Sequence, residues 1–428
     1  MTYKSVKGTA DILPSGLAGS SELYQAIEAI SRNIFQRFNY REIRTPVIEE
    51  RSLFVKAIGA ETDIVTKEMF SFRDRGEREI VLRPEGTAPI VRAYLEANFH
   101  KQDAFQKFYY IGPMFRAERP QAGRMRQFHQ IGAEAIGSMA PEIDAEIIVL
   151  MANLLDAMKI KGYKIRINNL GCKDDKAGLS KTLRGALAKE KSVLCDDCKK
   201  RLEINPLRVL DCKNESCRSV IRGAFKSVKF LCNKCDGHFK KVLGCLDSLG
   251  IKYELDPYIV RGLDYYTQTV FEVTHPELGS QDALGAGGRY DNLISDMGGP
   301  QLGAAGFALG VERILIVAAK QGATVYPDDK SVIYIAAMGQ SAKEKAFELI
   351  NSLRGIEWGK KASFDTDYED KSLKAQMREA DKLGAKFVLI IGDDEISKGE
   401  AVLRDMATKE QIAVKFSDII NALKGKLC

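Results

Sequence analysis

Along residues 17–39 the apolar positions Leu23, Ile27, Ile30, Ile34 and Phe38 recur every three or four residues, the spacing of one helix face. Ser20 or Ser21 stands where such a helix would be capped. The next stretch, 40–48, changes to an extended pattern ending near Pro46. Residues 79–83 (EIVLR) read as a strand that enters Pro84-Glu85-Gly86-Thr87-Ala88 and then a helix to about Asn98. Two apolar runs within 105–137 predict a hairpin around a basic loop. Over 141–158, Ile143, Ile147, Leu150, Met151, Leu154 and Met158 form one stripe of an amphipathic helix. Strands are expected at 163–168, 258–274 and 303–309, with a helix from 310 to about 320. Pro327-Asp328-Asp329-Lys330 reads as a linker. Beyond it, the strands SVIYIAAM and FVLIIG alternate with helices at 341–354 and 371–383 and a final helix, the pattern of a small α/β domain with a parallel or mixed sheet.

The hairpin breaks the pattern of a strand pair that only builds a core. Arg116 closes its first strand, Arg119, Arg124 and Arg126 occupy the loop, and Gln130 and Glu134 lie within the return strand. Residues two apart in a strand share a face, so Phe128, Gln130, Gly132 and Glu134 point one way and His129 the other. Gln130 and Glu134 are then roughly 13 Å apart, at about 3.3 Å per residue. A ligand the size of an amino acid fits between them, and Gly132 is expected to leave the floor open for it. Cations for a polyanion and a carboxylate for a cation on one hairpin suggest that a phosphate compound meets an amine-bearing one there.

Composition narrows the class. The 428 residues are 45% hydrophobic and 29% charged, as in a globular protein of two to four domains. No run of 18 uncharged apolar residues predicts a membrane span, and the start has no secretory pattern, so a cytoplasmic enzyme is expected. Residues 190–245 hold 13 Lys/Arg against 7 Asp/Glu, an excess equal to the whole chain's +6, which suits contact with a polyanion. Six of the nine cysteines fall between 195 and 235. The pairs Cys195/Cys198 and Cys232/Cys235, each C-x₂-C, offer four thiolates to a zinc ion; Cys212 and Cys217, spaced C-x₄-C, are able to replace either pair.

Three segments in order now resemble motifs 1, 2 and 3 of the class II aminoacyl-tRNA synthetases. They are the helix, strand and proline of 20–48, the hairpin with Phe115-Arg116 before its loop, and the glycine-rich strand entering a helix with Glu312-Arg313. Val260-Arg261-Gly262-Leu263-Asp264-Tyr265-Tyr266-Thr267 and Gly287-Gly288-Arg289-Tyr290-Asp291 are similar to segments particular to the histidyl-tRNA synthetase family. The resemblance covers essentially the whole chain. It implies an α+β catalytic domain with an antiparallel sheet of class II synthetase type (1–170 and 251–326), a small basic insertion domain (171–250) and a C-terminal α/β anticodon-binding domain (330–428).

The resemblance also implies an activity, histidine–tRNA ligase. L-histidine and ATP would give histidyl-adenylate, and histidine would pass to the 3′ end of tRNA-His. Arg116 and Arg261 match catalytic arginines at the α-phosphate, and Arg313 matches the arginine that holds the γ-phosphate, with Mg2+ bridging the phosphates. Glu85, Thr87, Gln130 and Arg116 match residues around the substrate's ammonium and carboxylate. Glu134 and Tyr266 match those that read the imidazole, with Tyr265 beside them. Arg119, Gln121 and Arg124 in the loop would approach the tRNA acceptor end. Motif 1 suggests a homodimer, with Ile27, Ile30 and Ile34 serving either that interface or the protomer's own core. Membership does not itself imply zinc. The rival is a catalytically silent relative acting as regulatory subunit of ATP phosphoribosyltransferase, which tends to lose the insertion, the C-terminal domain and some of these arginines.

Overall fold

The computed structural model describes residues 3–14, 20–121, 123–225, 230–322, 331–358 and 362–427. The linker expected at 327–330 and the first positions of the 17–39 pattern lie outside them. The chain divides into two compact units, Met1–Val325 and Tyr326–Cys428.

The first unit is built on an eight-stranded sheet. Its spatial order is Arg41–Glu42, Gln106–Phe115, Gln127–Ile136, Ala304–Gly310, Ala283–Arg289, Thr267–Thr274, Lys164–Asn169 and Glu254–Leu255. All neighbours pair antiparallel except the two-residue strand at each edge, which pairs parallel. The predicted hairpin forms without a register break, from Gln106 opposite Ile136 to Phe115 opposite Gln127.

Period-two alternation gives the sheet two buried faces. Tyr109, Ile131, Ala133 and Ala135 pack with the helices Ser21–Arg37 and Pro141–Ala157. Ile27 and Ile34 are buried in that cluster with Ile30 packed beside it, so this stripe is spent inside the protomer. Phe108, Tyr110 and Met114 face the other way, with the helix Thr87–Glu96 and Tyr265, Tyr266 and Tyr290. The candidate site lies on this second face.

One expected strand is shorter than predicted: of 258–274, only Thr267–Thr274 joins the sheet. The Lys176 ammonium takes the carbonyls of Asp264 and Tyr266, at 3.2 and 3.0 Å, which a ladder would otherwise use. Between Lys164–Asn169 and the sheet's return, helices Lys173–Leu187, Asp196–Ile204 and Glu215–Phe225 enclose a small core of Leu179, Leu183, Leu202 and Leu210. The next helix, Asn233–Ser248, buries Val242 and Leu246 in the main core.

The second unit has a five-stranded mixed sheet, ordered Ala362–Thr366, Ser331–Ala337, Ala385–Ile391, Glu400–Asp405, Gln411–Lys415. The first three strands are parallel, as the β/α alternation predicts. The antiparallel hairpin formed by the last two is an addition to the sequence reading. Gln411–Lys415 is an edge strand that buries only Val414, so it carries little apolar alternation to betray it. Among the described residues no helix is long and apolar enough to cross a membrane.

Candidate active site

Four arginines line one cavity over the second face of the sheet: Arg116, Arg261 and Arg313, with Arg124 from the hairpin loop. Arg116 follows the first hairpin strand; its main-chain N–H donates to Arg126 O at 2.9 Å, and its Nε donates to Pro84 O at 3.0 Å. Its guanidinium lies 5.4 Å from the Phe128 ring centre. Arg313, in the first turn of the helix Val311–Lys320, donates from Nε to Gly123 O at 3.0 Å and also binds Ala283 O. Arg261 sits on the loop before Thr267–Thr274. Its Nη1 donates to Glu272 Oε2 at 2.9 Å, and its guanidinium stands 6.0 Å from the Tyr266 ring centre. Four permanent cations in one partly buried cleft favour a polyanion.

Gln130 also lines this cavity. Its Oε1 and the Nε of Arg261 are buried without a hydrogen-bond partner among the described residues. A buried polar atom left unpaired costs about 1–3 kcal/mol, so such atoms in a cleft mark where a ligand's donors and acceptors belong.

Glu85, Thr87, Tyr265 and Tyr266 complete the inner wall. Glu85 accepts the main-chain N–H groups of Thr87 and Ala88, at 2.7 and 2.9 Å, so its carboxylate caps the helix Thr87–Glu96. Burial pushes its carboxyl up, against those hydrogen bonds and the charge of Arg116. Tyr265 donates to Glu85 from 3.5 Å.

Glu134 shares the strand face of Gln130 but lies beneath the cavity wall, only 1% exposed. Its Oε1 accepts the Thr87 hydroxyl at 2.6 Å and its Oε2 the Tyr290 hydroxyl at 2.5 Å. Burial raises its carboxyl to about 8, against those two hydrogen bonds, with Glu85 adding to the rise. Gly306 is its register partner on the next strand, and a side chain there would overlap the Glu134 carboxylate.

The open floor expected at Gly132 is corrected. Tyr110, its register partner, lays its ring over Gly132, and a Cβ at Gly132 or at Gly86 would overlap that ring. Both glycines exist there for a tyrosine's close approach, and Tyr110 itself is part of the cavity wall.

The loop arginines divide. Arg119 and Gln121 are exposed, whereas Arg124 turns into the cavity and pairs with Glu118 at 2.6 Å. His129 lies on the opposite strand face, as the alternation predicts, with Nδ1 2.9 Å from Glu312 Oε1. Arg289 of the GGRYD segment is fully buried, its Nε donating to Asp144 Oδ1 at 2.8 Å and its Nη1 to Asp291 Oδ1 at 3.0 Å.

The sequence reading passed over Glu272, Glu118 and Tyr110, and gave Tyr290 no role. Glu272 had a signal: it is a lone charge inside the apolar run TVFEVT. Tyr290 lies in the GGRYD segment already singled out, but its partner Glu134 is distant in sequence, and Tyr110 had no signal.

The set Cys195, Cys198, Cys232 and Cys235 is also corrected. Cys195 and Cys198 meet Cys212 and Cys217, while Cys232 and Cys235 meet Cys172 and Asp175. The helix Glu215–Phe225 brings Cys217 back to the first pair, and Cys172, at the start of helix Lys173–Leu187, stands beside the start of helix Asn233–Ser248.

Comparison with known proteins gives a consistent result. The family model for histidyl-tRNA synthetase matches residues 8–192 and 222–314, and that for an anticodon binding domain matches 332–426. The chain is 46% identical over 426 residues to the histidine–tRNA ligase of Halothermothrix orenii, covering 99% of each. It is 45% identical over 424 residues to that of Desulforudis audaxviator, again covering 99% of each. The crystal structure of apo histidyl-tRNA synthetase from S. aureus superposes with a TM-score of 0.80 at 33% identity, covering 99% of this chain and 100% of that one.

Proposed function

Because the chain belongs to the histidyl-tRNA synthetase family, we propose that its cavity activates L-histidine with ATP and passes it to the 3′ end of tRNA-His. The enzyme is a histidine–tRNA ligase. The observation that carries the assignment of residues is the convergence of Arg116, Arg261 and Arg313 on a cleft where Gln130 Oε1 and Arg261 Nε lack partners among the described residues.

In this reading a histidine carboxylate oxygen attacks the α-phosphorus of ATP. The bond from that phosphorus to the bridging oxygen breaks, and pyrophosphate leaves. Arg116 orients the α-phosphate and the substrate carboxylate through its forked guanidinium. Arg261, anchored by Glu272, meets the negative charge that grows on the α-phosphate. Arg313 holds the γ-phosphate. Glu85 and Gln130 take the α-ammonium with Thr87 beside them, and Tyr266 meets the imidazole from the cavity wall, with Tyr265 beside it and Glu134, the other residue of the expected imidazole pair, beneath that wall and held by Thr87 and Tyr290. A ribose hydroxyl of the tRNA then attacks the adenylate carbonyl and AMP leaves. Arg119, Gln121 and Arg124 guide the acceptor end.

Mg2+ belongs to this reading as an ion on the ATP phosphates; Glu118, a carboxylate in the cavity wall, is an oxygen donor of the kind it takes. When bound it draws charge from the departing pyrophosphate. The reading includes a cytoplasmic homodimer with a catalytic core at 1–170 and 251–326, an insertion at 171–250 and an anticodon-binding domain at 330–428. The regulatory-subunit alternative is not better supported: this chain keeps the insertion, the C-terminal domain and all three arginines.

Histidine-dependent exchange of pyrophosphate into ATP tests it. Exchange with histidine, reduced at least about a hundredfold by Arg261→Ala, is expected. Exchange with another amino acid, or an undiminished rate in the variant, refutes it.

A further inference from the structure

We propose that Cys195, Cys198, Cys212 and Cys217 hold a structural zinc ion that fixes the turn Pro206–Asp211 against the loop 261–266. Each of these residues offers a sulfur, and the four sulfurs lie within 4.8 Å of one another. Cys195 and Cys212 are 3.9 Å apart at sulfur. Four thiolates about 2.3 Å from a tetrahedral zinc stand about 3.8 Å apart, whereas a disulfide needs about 2.05 Å. The main-chain N–H of Cys195 donates to Cys217 Sγ at 3.1 Å, the kind of outer hydrogen bond that orients a metal-bound thiolate.

Local structure explains the convergence. Cys195 caps the helix Asp196–Ile204 and Cys198 lies in its first turn. Cys212 ends the turn Pro206–Asp211, and Cys217 sits in the first turn of Glu215–Phe225. Cys198 and Cys217 are fully buried, at the edge of a small core that is otherwise mostly leucine. A core of that size is the kind that a metal supplements.

The loop clamped between Cys198 and Cys212 carries two contacts to the catalytic face. Asn205 Nδ2 donates to Asp264 Oδ1 at 2.9 Å, and Arg208 Nη2 reaches Asp63 Oδ2 at 3.1 Å. Asp264 immediately precedes Tyr265 and Tyr266 in the cavity wall. The ion thus acts on the substrate pocket indirectly, through Asn205 and Asp264. The other thiol cluster is less suited: the Asp175 oxygens already accept the main-chain N–H groups of Cys172 and Cys232, and Cys232 is exposed.

The test uses the whole chain, purified under reducing conditions, stripped with a chelator and reloaded with cobalt or zinc. Cobalt should give the thiolate-to-metal charge-transfer and tetrahedral ligand-field bands of a four-sulfur site. Those bands, and one equivalent of zinc, should vanish in Cys212→Ser/Cys217→Ser and persist in Cys232→Ser/Cys235→Ser. Stripping should speed hydrogen exchange at 205–211 and 261–266 at least several-fold, and zinc should restore it. The unmodified chain's cobalt spectrum does not depend on how the variants fold. Absence of those bands in it, or loss of the equivalent only in the Cys232/Cys235 variant, would overturn the site. Metal uptake with unchanged exchange at 261–266 would overturn its clamping role.

Discussion

Thr87 donates its hydroxyl to Glu134 across 2.6 Å, joining the first turn of a helix to the middle of a strand 47 residues away. Tyr290 takes the other oxygen of the same carboxylate. Glu134 is therefore fixed before any substrate arrives. Its proton is held more tightly in the folded chain, at about 8 against an ordinary 4.5. A raised acid stabilises the fold fully below the ordinary value and loses that contribution as pH rises through the folded one. The thermal midpoint of the free enzyme, measured relative to Glu134→Gln, should fall between pH 5 and 8. For one whole proton the slope approaches about 1.4 kcal/mol per pH unit. Parallel midpoint curves for the two proteins would remove the protonated Glu134 from the account.

Glu272 touches Arg261 rather than the proposed reacting atoms, so it is a positioning residue. Glu272→Ala should slow pyrophosphate exchange by about ten- to a hundredfold by freeing the guanidinium to wander. Coupling is the readout that separates this from a general loss of structure. The double variant Glu272→Ala/Arg261→Ala should be hardly slower than Arg261→Ala alone, because the carboxylate then has nothing to hold. Additive losses would show that Glu272 acts elsewhere.

Arg289 and Asp144 form a buried pair completed by Asp291 and the carbonyls of Ser138 and Ala140. Burial pushes the Asp144 carboxyl up, but His238 and Arg289 outweigh it and hold it below its usual value. Removing one partner from such a pair typically costs about 3–5 kcal/mol, since a charge is left buried alone. Arg289→Met should lower the unfolding free energy of the first unit, read from its denaturant midpoint and slope, by an amount of that order. A loss confined to activity, with the midpoint unchanged, would instead put Arg289 in the chemistry.

These sites differ in how far the sequence exposed them. The hairpin was legible because strand alternation is local: it put Gln130 on the cavity side and His129 on the other without any tertiary information. The roles of Arg116, Arg261 and Arg313 were legible only through the resemblance of the segments around them to family motifs. What alternation does not carry is depth. Glu134 has the same facing as Gln130, yet Tyr110 covers the strand between them and Gly306 admits the carboxylate from the next strand. The cysteine partners failed for a similar reason. Two C-x₂-C pairs look like one site in a linear chain, and only the helices Lys173–Leu187 and Asn233–Ser248 decide that the second pair belongs with Cys172.

The hairpin loop offers a separation of the enzyme's two half-reactions. Arg119 and Gln121 face solvent, while Arg124 lines the cavity and is paired with Glu118. A residue that meets only the RNA affects transfer and not activation. Arg119→Ala should leave histidine-dependent pyrophosphate exchange within about twofold of the parent while weakening tRNA-His charging. If its guanidinium neutralises one phosphate, the salt dependence of tRNA binding should drop by about one unit of slope. Arg124→Ala should lower both half-reactions, because its loss also frees Glu118 beside Arg116, 3.9 Å away. Measuring exchange and charging on both variants across a salt series checks the division. Equal effects of Arg119→Ala on exchange and charging would place that side chain at the ATP rather than the RNA.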